Sequence, residues 1–570
     1  MFNYTKKKEA INLVMKWELK SYNEDYLTSK SSEFGESRLI SRLLLNRGIN
    51  TKEKVQKFLN SDKEDIHNPF LFEDMENAVK RIQKAGKNKE KIIVYGDYDV
   101  DGVTASTLMH DCLKLSGVEQ IFVMLPDRFI DGYGMSKRVI KRAKELGVSL
   151  IITVDCGSNN AEIIDELNLQ GIDVIVTDHH EIMKEIPKSA VAIVNPKREK
   201  QTKLRELCGC GVAFMVMQKM VKEKKIPEGY EKWFLDLVLI GTLCDSMMID
   251  STNRMLSYFG MKILKKTKRP GLVELLKSSR ANKINSETIG YQIGPRLNAS
   301  GRMETAEISL KLLMSENHRE ANELAMKLNQ LNLERRNSQQ QALLEIPEVD
   351  DPVIVVTGKW HEGILGIIAG KLVEKFHKPA FVLSEVEKGV LKGSGRAFGE
   401  FNLAEALRKC EKEIISGGGH AAACGLKVRT DKIDDFRRKV NDFYESLQLT
   451  DQEKYLEPQA DIILKDLDGL TIELMDEIKS LEPFGIGNLE PIFQLKEMRI
   501  IEMERMGLEK QHLKLVIQDE EGHKMKLIAF NAPEFWMNLS RGERKDIWIN
   551  LLENEWQNVK QIEGRILQIK

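Results

Sequence analysis

Between residues 91 and 178, short apolar runs alternate with helical segments, and this alternation constrains the fold more than any other feature of the sequence. Each run is long enough for a buried strand, and the segments between the runs carry apolar residues at helical spacing. This strand-helix rhythm predicts a doubly wound α/β fold with a parallel sheet. The four runs are KIIVYGD, IFVMLPD, SLIITVD and GIDVIVTD.

The chain of 570 residues is longer than a single hydrophobic core usually supports, so several domains are expected. Apolar residues at helical spacing over 303–345, with almost no helix breakers, predict a long connecting helix. A second α/β alternation follows, and the last part of the chain has short strand-like runs separated by turns. We predict an N-terminal region at 1–75, interpreted as an entry or lid domain, a catalytic α/β domain at 76–265, a helical connector at 266–348, a smaller α/β domain at 349–450 and an OB-like β-barrel at 451–570.

The charge and cysteine content excludes several classes of protein. With 86 Lys and Arg against 87 Asp and Glu, the chain has no basic excess, so nucleic-acid binding would need a local basic groove. Seven cysteines without paired CxxC spacing indicate neither a disulfide framework nor a thiolate zinc site. The sequence contains no apolar stretch of about 20 residues, so we expect a cytoplasmic protein without a membrane anchor.

Three acidic residues, Asp97, Asp99 and Asp101, alternate directly after the first apolar run. Alternate side chains of an extended segment face the same side, so these carboxylates should converge at the carboxyl edge of the sheet. Their mutual repulsion favours a multivalent cation, although an acidic turn ended by Gly102 is an alternative. A calcium loop of the EF-hand type does not fit, because Leu108 stands where its bidentate Glu is required.

The ends of the later runs add residues of the same kind. Asp155 ends the third run, and Asp178, His179 and His180 end the fourth. Tandem histidines after an Asp at a strand end are harder to explain by packing than a single buried His. Asp245 follows an apolar helix, where an unpaired carboxylate costs on the order of several kcal/mol. These residues therefore also favour a cation.

Carboxylate and imidazole ligands suit Mn²⁺ or Mg²⁺ better than a structural zinc ion. Cys156 and Cys244 lie beside two of the proposed ligands, and we interpret them as small buried hydrophobic residues. The number of acids favours two ions about 4 Å apart, which could activate a water and stabilise the leaving oxygen of a phosphodiester. The predicted chemistry is therefore metal-dependent phosphoester hydrolysis.

The motifs DYDVDG, VD, DHH and an Asp after GTLC, in this order, resemble those of the DHH phosphoesterase superfamily. The resemblance implies a set of metal ligands, with Asp97 as an additional ligand or a near neighbour. It also implies that His180, beside Asp178, contacts the scissile phosphate or assists protonation. This chain has Tyr95 where some members carry a His. The implied metal ligands are Asp97, Asp99, Asp101, Asp155, His179 and Asp245.

A later motif, EIISGGGHAAACG, resembles the glycine-rich segment of the DHH-associated domain. Successive glycines let backbone N–H groups approach an anion, whereas a flexible turn is the alternative. The segments GPRLNASGRM, WHEGILGIIAGKL, GSGRAF and LEPFGIGNLEPIF resemble the RecJ family within this superfamily. Their arginines can grip phosphate through a planar fork, although any one of them alone could equally form a surface salt bridge. The implied substrate-binding residues are Arg296, Asn298, Arg302, Ser394, Arg396, Gly417, Gly418, Gly419 and His420.

The resemblance to the RecJ family implies a 5′→3′ exonuclease that is specific for single-stranded DNA, releases 5′ mononucleotides and acts in DNA repair and recombination. The barrel would then bind single strands through a basic groove. Two alternatives stay open: a DHH phosphodiesterase that acts on oligoribonucleotides or cyclic dinucleotides, and an inactive DHH scaffold protein. A helicase and a single-strand-binding protein are candidate partners, and a monomer would suffice for activity.

Overall fold

The computed structural model describes residues 22–60, 71–183, 185–198, 204–281, 283–449, 458–507, 509–556 and 559–570. The chain divides into two compact units, one built from both ends of the sequence and one from its middle. The divisions fall near residues 62 and 448, and residues 485–487 belong to the middle unit.

The N-terminal helices and the elements of the first α/β domain are, in chain order, α1 (Glu24–Phe34), α2 (Arg38–Asn46), α3 (Lys52–Leu59), α4 (Met75–Lys87), β1 (Ile92–Tyr95), α5 (Val100–Leu115), β2 (Ile121–Met124), α6 (Lys137–Leu146), β3 (Leu150–Val154), α7 (Ala161–Leu169), β4 (Asp173–Thr177), β5 (Ala192–Val194), α8 (Gly209–Lys222), α9 (Leu235–Cys244) and α10 (Ser251–Leu264).

The connector and the second α/β domain contain α11 (Pro270–Ser278), α12 (Ser286–Thr288), α13 (Gly294–Met303), α14 (Glu307–Met314), α15 (His318–Glu345), β6 (Ile354–Gly358), α16 (Leu365–Phe376), β7 (Ala380–Glu387), β8 (Val390–Arg396), α17 (Leu403–Lys409), β9 (Ile414–Gly419), β10 (Ala423–Arg429) and α18 (Ile433–Ser446). The C-terminal elements are β11 (Ile462–Leu464), α19 (Ile472–Lys479), β12 (Phe493–Met506), β13 (His512–Gln518), β14 (Lys524–Ala529), β15 (Arg544–Trp556) and β16 (Val559–Ile569).

The first α/β domain is built on a parallel sheet with the strand order β2-β1-β3-β4-β5. Alternate residues of β1 enter two different cores. Ile92 and Val94 pack into the core that contains α5, α8 and α9, and Ile93 and Tyr95 pack into the core that contains α6 and α7. Because both faces are covered, β1 is fully buried, as its continuous apolar run requires. The predicted doubly wound parallel sheet is confirmed.

The connector is helical, but its long helix begins later than the sequence pattern predicts. A single helix was expected over 303–345, whereas α14 ends at Met314 and α15 runs from His318 to Glu345. Asn317 caps α15, because its Oδ1 accepts the backbone N–H of Glu320 at 2.9 Å. An Asn followed three residues later by Glu is a helix-start signal. The helical periodicity concealed this signal.

The second α/β domain has a mixed sheet with the order β6-β7-β8-β10-β9. β6 and β7 are parallel, and the remaining neighbours are antiparallel. In the C-terminal part, β12, β13, β14, β16 and β15 form a continuous sheet, and β15 pairs back onto β12. This additional pairing closes a five-stranded barrel, so the predicted OB-like barrel is confirmed.

The N-terminal helices share a hydrophobic core with the barrel. Leu43 and Leu44 of α2 pack in the same cluster as Phe493 and Leu495 of β12. The side chain of Arg47, just after α2, is buried and donates from Nη2 to the carbonyl oxygen of Leu489 at 2.7 Å. The sequence does not reveal this association, because 442 residues separate Arg47 from Leu489. Residues 1–21 and 61–70 of the predicted N-terminal region lie outside the described residues.

No helix among the described residues combines the length and the apolar character needed to cross a bilayer.

We expect Arg47→Ala to lower the free energy of unfolding of the barrel unit by about 3 kcal/mol. Arg47 lies 3.9 Å from the buried carboxylate of Asp461, and the substitution leaves this carboxylate without its cation. Urea denaturation followed by the fluorescence of the buried Trp536 and Trp548 measures the change. The control is Arg38→Ala on the exposed face of α2, which should change stability by less than about 0.5 kcal/mol. Equal unfolding midpoints for the two variants would contradict this prediction.

Candidate metal centre

The acidic and histidine residues predicted from the strand ends lie together at the carboxyl edge of the first sheet. His179 is at the centre of this cluster. Its Nε2 lies 3.0 Å from Oδ1 of Asp155, 3.6 Å from Oδ2 of Asp245 and 3.8 Å from Oδ2 of Asp101. Strands β1, β3 and β4 are adjacent in the sheet, so the segments that follow them meet at one place.

The two acids around the start of α5 are held by backbone N–H groups. Asp99 is the N-cap of α5, and its Oδ1 accepts the N–H of Gly102 at 3.0 Å. Asp101 is buried in the first turn and accepts the N–H groups of Gly209 at 2.6 Å and Cys210 at 2.9 Å. These last two donors form the beginning of α8. The partial positive charge of a helix N-terminus therefore stabilises the carboxylate of Asp101.

Glycines let neighbouring helices approach these acids closely. A Cβ atom on Gly209 would lie 2.5 Å from Cβ of Asp155, and one on Gly241 would lie 2.6 Å from Oδ1 of Asp101. Both positions therefore require glycine for packing around the cluster. The sequence interpretation missed them, although a glycine inside an apolar helix such as α9 is a known sign of close packing.

Asp178 orients His180. Its Oδ1 lies 2.8 Å from Nδ1 of His180 and accepts the backbone N–H of His179 at 2.7 Å. Its Oδ2 accepts the N–H of Ser158 at 2.9 Å. Asn195 adds support, because its Nδ2 donates to Oγ of Ser158 at 2.8 Å and to the carbonyl oxygen of His180 at 3.0 Å. The sequence interpretation did not identify Ser158 or Asn195.

Burial and mutual repulsion perturb the titration of the cluster. Burial, followed by repulsion from Asp101 and Asp99, holds the pKa of Asp155 and of Asp245 well above the ordinary range of a carboxyl group. Burial, followed by repulsion from His180, lowers the pKa of His179 to about 4. For His180, burial acts to lower the pKa, but the bond to Asp178 outweighs it and raises the pKa to about 9. His179 is therefore neutral and His180 charged near pH 7.

The cluster leaves buried polar atoms without partners. Within the part of the chain that the structure describes, Oδ1 of Asp97, Oδ1 of Asp155 and Nε2 of His179 are buried and form no hydrogen bond. An unpaired buried polar atom is costly, and such atoms within neighbouring groups of carboxylates and imidazoles are expected of cation ligands. Three groups have candidate ligand atoms within 4.8 Å of one another: Asp97, Asp99 and Asp155; Asp101, His179 and Asp245; and Asp155, His179 and His180.

Tyr95, just before the DYDVDG motif, and Cys156, beside Asp155, both lie in the hydrophobic core. Tyr95 is fully buried, and its hydroxyl donates to the carbonyl oxygen of Gly134 at 3.1 Å. Cys156 is also fully buried, and its Sγ donates to the carbonyl oxygen of Tyr95 at 3.7 Å. Cys244 is partly buried at the end of α9.

Arginines from both α/β domains gather beside the acidic cluster. Arg302 lies at the end of α13 and donates from Nη1 to the carbonyl oxygen of Gly363 at 3.3 Å. Burial, followed by repulsion from Arg128, Arg335 and Arg396, lowers the pKa of Arg302 to about 9. The charge of Asp99 acts in the opposite direction on the same pKa, so these cationic side chains lie near one another and near the acidic cluster. Arg128 and Arg335 were not identified from the sequence, because neither belongs to a motif.

Arg396 is oriented by its own strand. Its Nη1 donates to Oγ of Ser394 at 3.0 Å and to the carbonyl oxygen of Gly395 at 2.8 Å. Gly366 at the start of α16 faces this group, since a Cβ there would lie 2.8 Å from Nη2 of Arg396. Ser394 is therefore placed to position Arg396, and Gly366 is another residue that the sequence interpretation missed.

Arg296 lies near the start of α13 and is held by neighbouring polar groups. Its Nε donates to Oδ1 of Asn329 at 2.5 Å, and its Nη1 donates to the carbonyl oxygen of Gln292 at 2.7 Å. Burial, followed by repulsion from Arg336, lowers its pKa. Asn298 is half-buried on the same helix. Arg296 therefore lies near Arg336 of α15.

The glycine-rich motif forms an edge strand rather than a flexible turn. Gly417, Gly418 and Gly419 end β9, which pairs only with β10 among the described strands. Gly418 faces open space, because a Cβ there would meet nothing within 4 Å. Nδ1 of His420 accepts the N–H of Ala422 at 3.3 Å. The structure thus places these residues two strands away from Ser394 and Arg396 of β8.

Comparisons with known proteins agree with this architecture. The DHH family, N-terminal domain, matches residues 91–242, the DHHA1 domain matches 350–446 and the RecJ OB domain matches 461–568. The single-stranded-DNA-specific exonuclease RecJ of Bacillus subtilis (strain 168) is 36% identical over 96% of this chain and 70% of its own length.

Two solved structures extend the comparison. The crystal structure of RecJ in complex with Mn²⁺ from Thermus thermophilus has a TM-score of 0.81 at 24% identity, over 96% of this chain and 78% of that chain. A crystal structure of exonuclease RecJ bound to manganese has a TM-score of 0.60 at 27% identity, over 67% of this chain and 97% of that chain. The first structure supports the fold. The second is also 27% identical to this chain in sequence.

We expect Gly209→Ala to destabilise the first α/β domain by about 1–3 kcal/mol, the usual cost of overpacking. The added methyl group would overlap Asp155, which is itself buried and cannot move into solvent. Thermal denaturation measures the loss. Gly370→Ala is the control, because a Cβ on this helical glycine would meet nothing within 4 Å and the change should be neutral or slightly stabilising. A Gly209→Ala protein as stable as the control would refute the packing role.

Proposed function

The chain belongs to the RecJ family of DHH phosphoesterases, and on that premise we propose that it is a metal-dependent exonuclease specific for single-stranded DNA. One observation supports this most directly: buried carboxylate and imidazole atoms without partners lie beside arginines from both α/β domains. We further propose that the enzyme degrades DNA in the 5′→3′ direction, releases 5′ mononucleotides and acts in DNA repair and recombination. The family supports these finer points.

The residues of the acidic cluster fit two divalent cations, Mn²⁺ or Mg²⁺. The manganese in the solved structures of relatives supports this assignment, and so do the unpaired buried atoms of this chain. When bound, such cations supply a Lewis acid and neutralise the charge of a phosphodiester. The residues that would hold one ion are Asp97, Asp99 and Asp155, and those that would hold the other are Asp101, His179 and Asp245.

His180 is the proposed catalytic residue of the protein itself. With a pKa of about 9 it carries a proton near neutral pH, and Asp178 engages its Nδ1. The remaining ring nitrogen, Nε2, can therefore donate to a phosphate oxygen or to the leaving oxygen. Asp178 acts through His180 as a positioning residue, and it also helps to keep the ring charged.

The basic surface is proposed to hold the phosphates of the strand. Arg302 and Arg396 lie on different domains, and the charge of Arg396 lowers the pKa of Arg302. A strand threaded between the two α/β domains would thus meet arginines on both sides, with Ser394 holding Arg396 in place. Arg296, Asn298, Gly417, Gly418, Gly419 and His420 are proposed as further contacts along the strand.

The site lies within one chain, so we propose that a monomer is active. A cytoplasmic location is proposed from the substrate, and a helicase and a single-strand-binding protein are proposed as partners that supply the strand. The alternative DHH phosphodiesterases do not explain the C-terminal barrel. An inactive scaffold does not explain why the whole acidic cluster is present.

With Mn²⁺ present, the protein should degrade single-stranded DNA and leave blunt duplex DNA intact. The basic surface and the barrel suit an unpaired strand, and the proposed direction predicts early release of a 5′ label as a mononucleotide. The measurement compares 5′-labelled and 3′-labelled oligonucleotides by gel electrophoresis. Short RNA and cyclic di-AMP are tested in parallel. Hydrolysis of either in place of single-stranded DNA would favour the other DHH activities, and early release of a 3′ label would reverse the proposed direction.

Asp155→Asn should reduce the rate by more than about 100-fold, because even residues behind a metal ligand contribute about 10–100-fold. The variant should also lose the rise in melting temperature that Mn²⁺ gives the wild-type protein. Without metal it should be at least as stable, since the substitution removes a buried carboxylate from a group of like charges. The matched control is Asp165→Asn on the exposed side of α7. A retained rate and a retained thermal shift would exclude Asp155 as a ligand.

A further inference from the structure

An aromatic side chain to which the proposed hydrolysis assigns no role lies beside His180. Tyr133 belongs to the segment between β2 and α6, and the centre of its ring is 5.2 Å from the centre of the His180 ring. The two ring planes meet at 61°, so the contact is made by a ring edge and is not a stack. Tyr133 is nevertheless 50% exposed. A molecule that reaches His180 would therefore meet Tyr133 as well.

The backbone on both sides of Tyr133 is restrained. Gly132 has φ 73° and Gly134 has φ 87°, in the left-handed region that favours glycine. The carbonyl oxygen of Gly134 accepts the hydroxyl of the buried Tyr95 at 3.1 Å. The segment also packs closely on the residue before α7, since a Cβ on Gly134 would lie 2.9 Å from Oδ1 of Asn160. These contacts hold Tyr133 in one place relative to the end of the sheet.

The proposed reaction brings one sugar carbon close to His180. Release of a 5′ mononucleotide breaks the bond between phosphorus and O3′ of the terminal nucleotide. A water oxygen bonds to phosphorus and the water gives up a proton, while O3′ takes up a proton from the donor, here Nε2 of His180. O3′ is bonded to C3′, and the next carbon of the ring is C2′. C2′ carries a hydroxyl group in RNA and only hydrogen in DNA.

We propose that Tyr133 selects deoxyribose over ribose at the nucleotide that is released. Its ring, beside His180, offers an apolar surface to the C2′ methylene group of DNA. A 2′-hydroxyl at the same place would lose its water to the ring, which costs free energy. The metal ligands and the arginines are proposed to bind phosphate, which is the same in DNA and RNA. This role of Tyr133 rests on the proposed function, the hydrolysis of single-stranded DNA.

The test compares two 5′-phosphorylated oligonucleotides that differ by one oxygen atom. One is DNA throughout, and the other carries a single ribonucleotide at its 5′ end. With Mn²⁺ present, the wild-type protein should release the terminal deoxynucleotide with a kcat/KM about 100-fold higher, the usual extent to which an apolar surface rejects an added hydroxyl. Tyr133→Ala should lower this preference by about tenfold or more. Tyr133→Phe should keep it, because the ring and not its hydroxyl makes the proposed contact.

Tyr230→Ala is the matched control. Tyr230 is 51% exposed and lies before the start of α9, whereas Asp245 of the metal centre follows the end of that helix. This variant should keep the wild-type preference. Binding of the product gives a second measurement that needs no hydrolysis. In calorimetric titrations with Mn²⁺ present, 5′-dAMP should bind more tightly than 5′-AMP to the wild type, to Tyr133→Phe and to the control, and Tyr133→Ala should bind the two with similar affinity.

The proposal is overturned if Tyr133→Ala keeps the wild-type preference, or if the wild type releases both terminal nucleotides equally fast. It is also overturned if Tyr133→Phe loses the preference, because the hydroxyl of Tyr133 would then be the selecting group. A wild-type protein that does not degrade the DNA oligonucleotide would contradict the proposed function instead. In that case the relative affinities for 5′-dAMP and 5′-AMP would still decide whether Tyr133 selects the sugar.

Discussion

The repulsion among buried carboxylates at the edge of the first sheet is the constraint around which the middle unit is organised. Asp97, Asp101 and Asp155 are almost completely shielded from water, so the folded chain must offset their charge by other means. The N-terminus of α8 gives two N–H groups to Asp101, and glycines allow that helix to approach. The carboxylate and imidazole atoms that remain without partners face one another, and a cation satisfies them.

The same constraint explains the contrast between the two histidines. They are neighbours in sequence, yet the pKa of His179 is about 4 and that of His180 about 9, because the ring of His180 has the carboxylate of Asp178 as its own partner. In the proposed function, a neutral His179 leaves a lone pair available to a metal, and a charged His180 leaves a proton available to a phosphate. A single carboxylate therefore gives two adjacent imidazoles different chemistry.

Much of this could be predicted from the sequence, because strand ends of a parallel sheet converge whatever the helices do. Asp155 and His179 were found in this way before any family was considered. Arg128 and Gly209 were not, because they meet the site only after distant elements pack together. The break at Asn317 was visible as a local capping signal, but the longer periodicity hid it. Resemblance to the family supplied Arg302 and Arg396, which composition gave no reason to select.

The barrel unit, built from both ends of the chain, has a consequence for synthesis. Leu43 and Leu44 leave the ribosome early, but Phe493 and Leu495, which complete their core, are made last. At about 5–20 residues per second, roughly 20–90 s pass between these events. During that time the middle unit can fold by itself, while α2 keeps an uncovered apolar face. The nascent chain thus combines a middle unit that can already be folded with an N-terminal helix whose apolar face is uncovered. Chaperones bind exposed apolar surfaces of this kind.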